Sequence, residues 1–166
     1  MDRLRALDHS IVRVLNAWVL KWPVCHKLVV VAARWLAALE VALMVLLGLS
    51  GRPGAALRVL LSVGAVYVAV AAIGLRWRRH RPFARFETIR ELVSHEPHRS
   101  FPSRHVASAF AMATVSTPVH PTIGRLMGSL ACALAASRVV AGLHYPTDVL
   151  AGAVLGVAVG RLFRAP

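Results

Sequence analysis

Charged residues make up only 16% of this 166-residue chain, against 57% hydrophobic ones, a balance that excludes a disordered polymer. Cysteine is nearly missing: Cys25 and Cys132 fit no metal-ligand spacing and imply no disulfide framework, so both are read as packing residues. A clean signal-peptide core with a small-residue cleavage site is also lacking. Asp2, Arg3, Arg5, Asp8 and Arg13 interrupt the apolar positions of the first segment, which is therefore expected to remain in the mature protein. The length leaves room for one ordinary domain, so residues 1–166 are read as a single membrane-embedded unit. Lysine is rare as well, because eighteen of the twenty basic residues are arginine, whose flat fork suits paired hydrogen bonds to a phosphate. A formal charge of +13 would suit nucleic acid, anionic headgroups or a phosphate substrate. The mean hydropathy of +0.62 decides for lipid, and no nucleic-acid partner is expected.

What the chain does have is apolar blocks, each near the roughly 20 residues that cross hydrocarbon. The first segment places Leu4, Leu7, Ile11, Val12, Leu15 and Trp18 at a helical period, as an amphipathic helix at the membrane surface or a spanning one. Spans are expected at about 24–49, 55–75, 105–119 (with a start as early as Pro102), 125–141 and 146–163. The fold class that follows is all-α: an integral membrane helical bundle of about five transmembrane helices plus the N-terminal helix. Arg34 and Glu40 inside the first span are expected to form an ion pair. Small residues at Ala151, Gly152, Ala153, Gly156 and Gly160 predict close helix packing in the last span. The one large polar segment, about 76–104, sets Arg76, Arg78, Arg79, Arg81, Arg85, Arg90, Arg99 and Arg104 against Glu87, Glu91 and Glu96. Counting crossings brings this segment, the start of the third span and the junction at Gly142 to Pro146 to one membrane face. Charge alone leaves the orientation of that face open, because Arg52, Arg58, Arg125, Arg161 and Arg164 occupy the other.

Three pieces of sequence on the shared face carry chemistry. In Phe101-Pro102-Ser103-Arg104-His105, Pro102 fits a first helical position, which would leave the amides of Ser103, Arg104 and His105 free. With a hydroxyl, a guanidinium and an imidazole beside it, such a helix start is an anion site. In Ser137-Arg138 through Gly142, His144, Pro146 and Asp148, Gly142 can end one helix and Pro146 begin the next. His144 then lies just outside the helix and Asp148 in its first turn, near enough to fix the tautomer of the ring as a nucleophile or base. Arg81-Pro82 adds a further guanidinium. Together Arg81, Ser103, Arg104 and Arg138 would clamp a phosphate, with His144 oriented by Asp148 and His105 as a second histidine.

These pieces resemble the signature of the type 2 phosphatidic acid phosphatase family. Pro102-Ser103-Arg104-His105 matches Pro-Ser-x-His, and Ser137-Arg138, His144 and Asp148 match Ser-Arg-x5-His-x3-Asp at full spacing. Arg81-Pro82 matches only the end of the first motif, since the family's lysine falls at Gly74; Arg76 or Arg78 would replace that cation, or the substrate would not need it. The short chain, Arg81-Pro82-Phe83 and the run from Gly142 to Asp148 look most like the bacitracin-resistance type of undecaprenyl-diphosphate phosphatase. The resemblance implies attack by His144 on the terminal phosphorus to give a phosphohistidine, with His105 protonating the departing lipid phosphate and no metal or cofactor. It implies recycling of the cell-wall carrier lipid, with an isoprenoid diphosphate as substrate, on the outer face of the bacterial cytoplasmic membrane. Phosphatidylglycerophosphate, phosphatidate or a lipid A phosphate are the alternative substrates, and a non-enzymatic anionic-lipid binder the alternative of another class. The oligomeric state stays open. His95 and His98, spaced as metal ligands, are read as belonging to a solvated loop. His80 is assigned to headgroup or distal-phosphate contact, and Trp18, Trp22, Trp35 and Trp77 to interfacial anchoring or packing.

Overall fold

The computed structural model describes residues 2–164. Among them seven helices follow in order: α1 (Asp2–Leu20), α2 (Pro23–Leu49), α3 (Pro53–Arg76), the single turn α4 (Pro82–Arg85), α5 (Arg104–Ser116), α6 (Pro121–Val140) and α7 (Pro146–Leu162), with no strand. Proline acts as punctuation, opening α2, α3, α4, α6 and α7 at positions where its missing N–H has no helical partner to lose. The five expected bundle helices are therefore present close to their expected limits. Three of them, α2, α3 and α6, are long and apolar enough to cross a membrane.

The other two are shorter than read from sequence. α5 has 13 residues, about 20 Å at the helical rise. Nine of the 13 are buried, because α5 is the central helix, packed by α3, α6 and α7, so its ends meet protein rather than lipid. Pro102 is not the first helical residue, which corrects the expected start. Ser103 is the N-cap, and its amide donates to the carbonyl of Asp148 at 3.0 Å, pinning the start of α5 to the first turn of α7. The amides without an intrahelical partner thus begin at Arg104. The small residues of α7 explain the tightness of this pair. A methyl added at Gly152 would meet the Ser103 carbonyl at 2.7 Å and one at Gly160 the Ala111 carbonyl at 3.0 Å, while Gly156 faces the Ala107 carbonyl between them. One glycine per turn thus lies along one α5 carbonyl per turn, the close approach that small residues permit.

The expected ion pair in α2 does not form. Glu40 is fully buried with both carboxyl oxygens unpartnered among the described residues, while Arg34 is exposed. Six residues of helix separate them, about 120° around the axis, so they face different ways. α1 buries Asp8 and Asn16 together with Val12 and Val19, whereas Leu4, Leu7, Val14 and Trp18 are more than half exposed. Asn16 donates to the carbonyls of Arg90 and Val140 and accepts from the Arg90 amide, each at 2.9 Å. Asp8 accepts from the Thr147 amide at 3.1 Å. Both anchors lie at the α6–α7 junction, so α1 is fastened to that end of the bundle, with Leu4, Leu7, Val14 and Trp18 turned outward. Trp22, Trp35 and Trp77 are likewise more than half exposed, as interfacial residues are.

Candidate active site

The junction between α6 and α7 positions the histidine. Gly142 sits at φ +74, the left-handed conformation that ends many helices. The Gly142 amide returns to the Val139 carbonyl at 3.0 Å and the Leu143 amide to the Arg138 carbonyl at 3.1 Å, the paired bonds of a Schellman ending. His144 also donates its amide to the Arg138 carbonyl, at 3.2 Å. The six-residue interval from Arg138 to His144 is thus a helix ending written out in sequence. α7 then starts with Tyr145 as N-cap, whose amide donates to Asp148 Oδ2 at 2.9 Å, as an acidic residue at the third helical position allows.

The segment 77–103 folds over this junction and joins it to α5. Phe83 donates to the Gly142 carbonyl at 3.3 Å and Leu92 to the Ala141 carbonyl at 3.2 Å. Arg81 is buried, and its Nε donates to the Glu96 carbonyl at 2.7 Å and its Nη1 to the Leu143 carbonyl at 2.9 Å. The same Nη1 lies 2.8 Å from His144 Nε2. On the other side of the ring, Nδ1 is 2.8 Å from the Ser100 carbonyl. A carbonyl only accepts and a guanidinium only donates. His144 therefore carries its proton on Nδ1 and presents the Nε2 lone pair.

The spacing of His144 and Asp148 predicts a direct hydrogen bond from the ring to the carboxylate, but Nδ1 to Oδ2 is 3.8 Å, too long for one. Ser100 stands between them, donating its hydroxyl to Asp148 Oδ2 at 2.5 Å while its carbonyl takes the ring proton. Arg79 completes this support, reaching Asp148 Oδ1 at 2.6 Å and Asp8 Oδ2 at 2.8 Å, with its guanidinium 3.9 Å from the Tyr145 ring centroid. Burial works against the Arg79 charge, but Asp148 and Asp8 outweigh it and raise its pKa. For His144 burial dominates, with the Arg81 and Arg138 cations acting in the same direction and Asp148 against, and its pKa is pushed down to about 4. The ring is neutral at physiological pH.

Nε2 faces a cavity of about 230 Å³ whose basic lining includes Arg81, Arg104, His105 and His144, together with His95 and Arg99. One wall is the α3 face of Tyr67, Val70, Ala71 and Gly74. Of the expected site residues, Arg81, Arg104, His105 and His144 line this space and Ser103, Arg138 and Asp148 lie behind it. Ser103 is fully buried with its hydroxyl unpartnered among the described residues. Arg138 holds His95, Nη1 to Nε2 at 3.0 Å, so His95 is no solvated loop residue; burial and the Arg138 and Arg81 charges lower its pKa. Its ring centroid is 6.0 Å from that of His105, and among the described residues no three His, Cys, Asp or Glu side chains are placed to hold a metal. Gly74, where the family's lysine falls, faces the cavity with nothing within 4 Å of an added Cβ. Sequence reasoning missed Ser100, Arg79 and His95. Ser100 is close in sequence to the Pro102–His105 motif and Arg79 to Arg81, but nothing in the sequence pairs them with His144 and Asp148, or His95 with Arg138.

Comparison with known proteins agrees with this geometry. The bacitracin transport permease protein BcrC of Bacillus licheniformis is 41% identical over 78 residues, 47% of this chain and 38% of that protein. The undecaprenyl-diphosphatase BcrC of Bacillus subtilis is 34% identical over 83 residues, 50% of this chain and 42% of that protein. The matched stretches are thus about two fifths of those relatives' lengths. Among solved structures, Aquifex aeolicus LpxE superposes with a TM-score of 0.77 at 25% identity, covering 93% of this chain and 92% of that one. A transmembrane PAP2-type phosphatidylglycerolphosphate phosphatase from Bacillus subtilis gives 0.79 at 22% identity, over 98% and 85%, and shares the fold. Residues 55–165, from the start of α3 to the end of α7 and beyond, match the PAP2 superfamily. The chain is a multi-pass membrane protein that belongs to the PAP2 superfamily.

Proposed function

We propose that this protein hydrolyses undecaprenyl diphosphate to undecaprenyl phosphate and inorganic phosphate, returning the carrier lipid to cell-wall synthesis. The observation that carries the reading is the tautomer of His144: Nδ1–H is spent on the Ser100 carbonyl and Nε2 faces a basic cavity. A binding protein has no need of an oriented, neutral imidazole behind its cations. Nε2 attacks the terminal phosphorus, and the bond from phosphorus to the bridging oxygen breaks. His105 gives a proton to the departing lipid phosphate, and a phosphohistidine remains. Water, giving its proton back to His105, then attacks phosphorus and releases phosphate from Nε2. Arg81 and Arg104, which line the cavity, hold the equatorial oxygens as charge builds. Arg138 and Ser103 support them from behind, and Asp148 acts on His144 through Ser100. The carrier lipid is favoured over phosphatidate, phosphatidylglycerophosphate or lipid A by the likeness to a relative named undecaprenyl-diphosphatase. In this reading the site works on the outer face of the bacterial cytoplasmic membrane, as the resemblance to the bacitracin-resistance phosphatases implies.

The test is phosphate release from undecaprenyl diphosphate by purified wild type and His144→Ala, with EDTA present and phosphatidate run in parallel. Release by wild type alone, with little from phosphatidate, is the expected result. Turnover of phosphatidate only would reject the carrier lipid, and an active His144→Ala protein would remove the nucleophile.

A further inference from the structure

Beside the active-site cavity lies a second space of about 410 Å³, lined by Gly74, Leu75, Arg78, His80, His98 and Arg99. Gly74, Leu75, His98 and Arg99 line both spaces, so the two adjoin. The second lining holds two guanidiniums, two imidazoles and no carboxylate. Among the described residues neither Arg78 nor Arg99 is ion-paired, whereas Arg79, next to Arg78 in the sequence, is committed to Asp8 and Asp148. Arg76, the other cation considered as a replacement for the lysine, lines neither space. The loop delivering His98 and Arg99 turns at Arg99 with φ 58, a left-handed conformation that non-glycine residues seldom adopt and that clusters at functional sites. His98 packs edge-on against His80, ring centroids 4.7 Å apart. The next residue, Ser100, is the one that holds His144. The turn at Arg99 therefore ties the second space to the nucleophile through a single peptide step.

We propose that this second space is the subsite for the inner phosphate of a diphosphate ester, and that Arg78 and Arg99 set a preference for diphosphate over monophosphate lipids. The proposal rests on the hydrolytic reading above and adds what distinguishes its substrate. With the terminal phosphate at Nε2, the group that leaves is the inner phosphate, and breaking the bridging bond adds negative charge to it. Unpaired guanidiniums around that phosphate stabilise the charge as it forms. A monophosphate ester has nothing to place there. Gly74 provides the room where a lysine side chain would otherwise enter. The ester carbon chain then leaves along Leu75, which lines the second space and is exposed on α3.

The experiment compares wild type with Arg78→Gln, Arg99→Gln and the double variant on undecaprenyl diphosphate and phosphatidate in one detergent. It also measures inhibition by inorganic pyrophosphate and by phosphate of turnover on whichever lipid is faster. Losing two charge-assisted contacts predicts a fall of about 100-fold in the diphosphate-to-monophosphate ratio of kcat/KM in the double variant. Wild type should bind pyrophosphate about tenfold more tightly than phosphate, an advantage the double variant loses. A ratio unchanged within about twofold, or equal losses on both lipids, would overturn the subsite. If wild type ignores undecaprenyl diphosphate yet keeps a pyrophosphate advantage that the double variant lacks, the subsite stands and the carrier-lipid reading falls. If it hydrolyses undecaprenyl diphosphate with neither advantage nor altered ratio, the reverse holds.

Discussion

Replacing Ser100 by alanine separates two ways in which a carboxylate can orient a histidine. Ser100 Oγ lies 2.5 Å from Asp148 Oδ2 and His144 Nδ1 lies 2.8 Å from the Ser100 carbonyl, against 3.8 Å from Nδ1 to Asp148 Oδ2. If Asp148 acts through Ser100, deleting the hydroxyl loosens the carbonyl that holds the ring proton. A hydrogen bond to a charged group contributes about 1.5–3 kcal/mol. Asp148 keeps the Tyr145 amide and Arg79 as partners, which puts the expected loss in the lower half of that range. At about 1.4 kcal/mol per tenfold, kcat/KM should fall about 10- to 30-fold. Asp148→Asn should cost more, because it also strips Arg79 of a counter-charge. The double variant should fall well short of the product of the two single losses, since both act on one chain of contacts. The assay is steady-state phosphate release in detergent for the four proteins, with thermal unfolding as a folding control. A Ser100→Ala rate within about threefold of wild type, or losses that multiply in full, would refute the relay.

Other outcomes follow from the same contacts. Gly152→Ala would press a methyl to 2.7 Å from the Ser103 carbonyl, so thermal unfolding in detergent should show a loss of about 1–3 kcal/mol; full stability would mean that α5 and α7 can part freely. Burial first, and the Arg81 and Arg138 charges second, push the His144 pKa down to about 4, so the acid limb of kcat/KM set by this group should lie near pH 4. Between about 4 and the free imidazole value near 6.5, the unfolded chain takes a proton that folded His144 refuses, so its contribution to stability declines as pH falls through that window. A His144-dependent limb at 6.5 would contradict this environment. Asp8→Ala should leave Arg79 and Thr147 short of a partner and cost about 1.5–3 kcal/mol, and cleavage at Lys21 by trypsin should accelerate; unchanged digestion would show that α1 is held by other contacts.

The helices were legible because proline and glycine mark them. Pro23, Pro53, Pro121 and Pro146 begin spans, and the expected starts at 24, 55, 125 and 146 fall within four residues of them. The spacing from Arg138 to His144 was legible for a related reason, because a Schellman ending takes a set number of residues. What could not be read was tertiary. The segment 77–103 has no periodicity, so nothing local tells that Ser100 lies under His144 or that His95 meets Arg138. Pro102 misled as a helix start because the hydrogen bond from the Ser103 amide to the Asp148 carbonyl helps decide where α5 begins, and it joins residues far apart in the chain. Glu40 and Arg34 misled because a shared helix does not imply a shared face.

The contact between Arg81 Nη1 and His144 Nε2 at 2.8 Å has a consequence for selectivity in time. The guanidinium that would grip a phosphoryl oxygen is, in this arrangement, spent on the lone pair that would attack it. In the proposed hydrolysis an arriving anion would draw the guanidinium to itself and uncover the imidazole in the same movement, so that recognition and unmasking would be one event. A neutral electrophile of similar size would offer Arg81 no inducement to let go and would find the ring sheathed. The residue that equips the histidine for phosphate would thereby also shield it from adventitious modification.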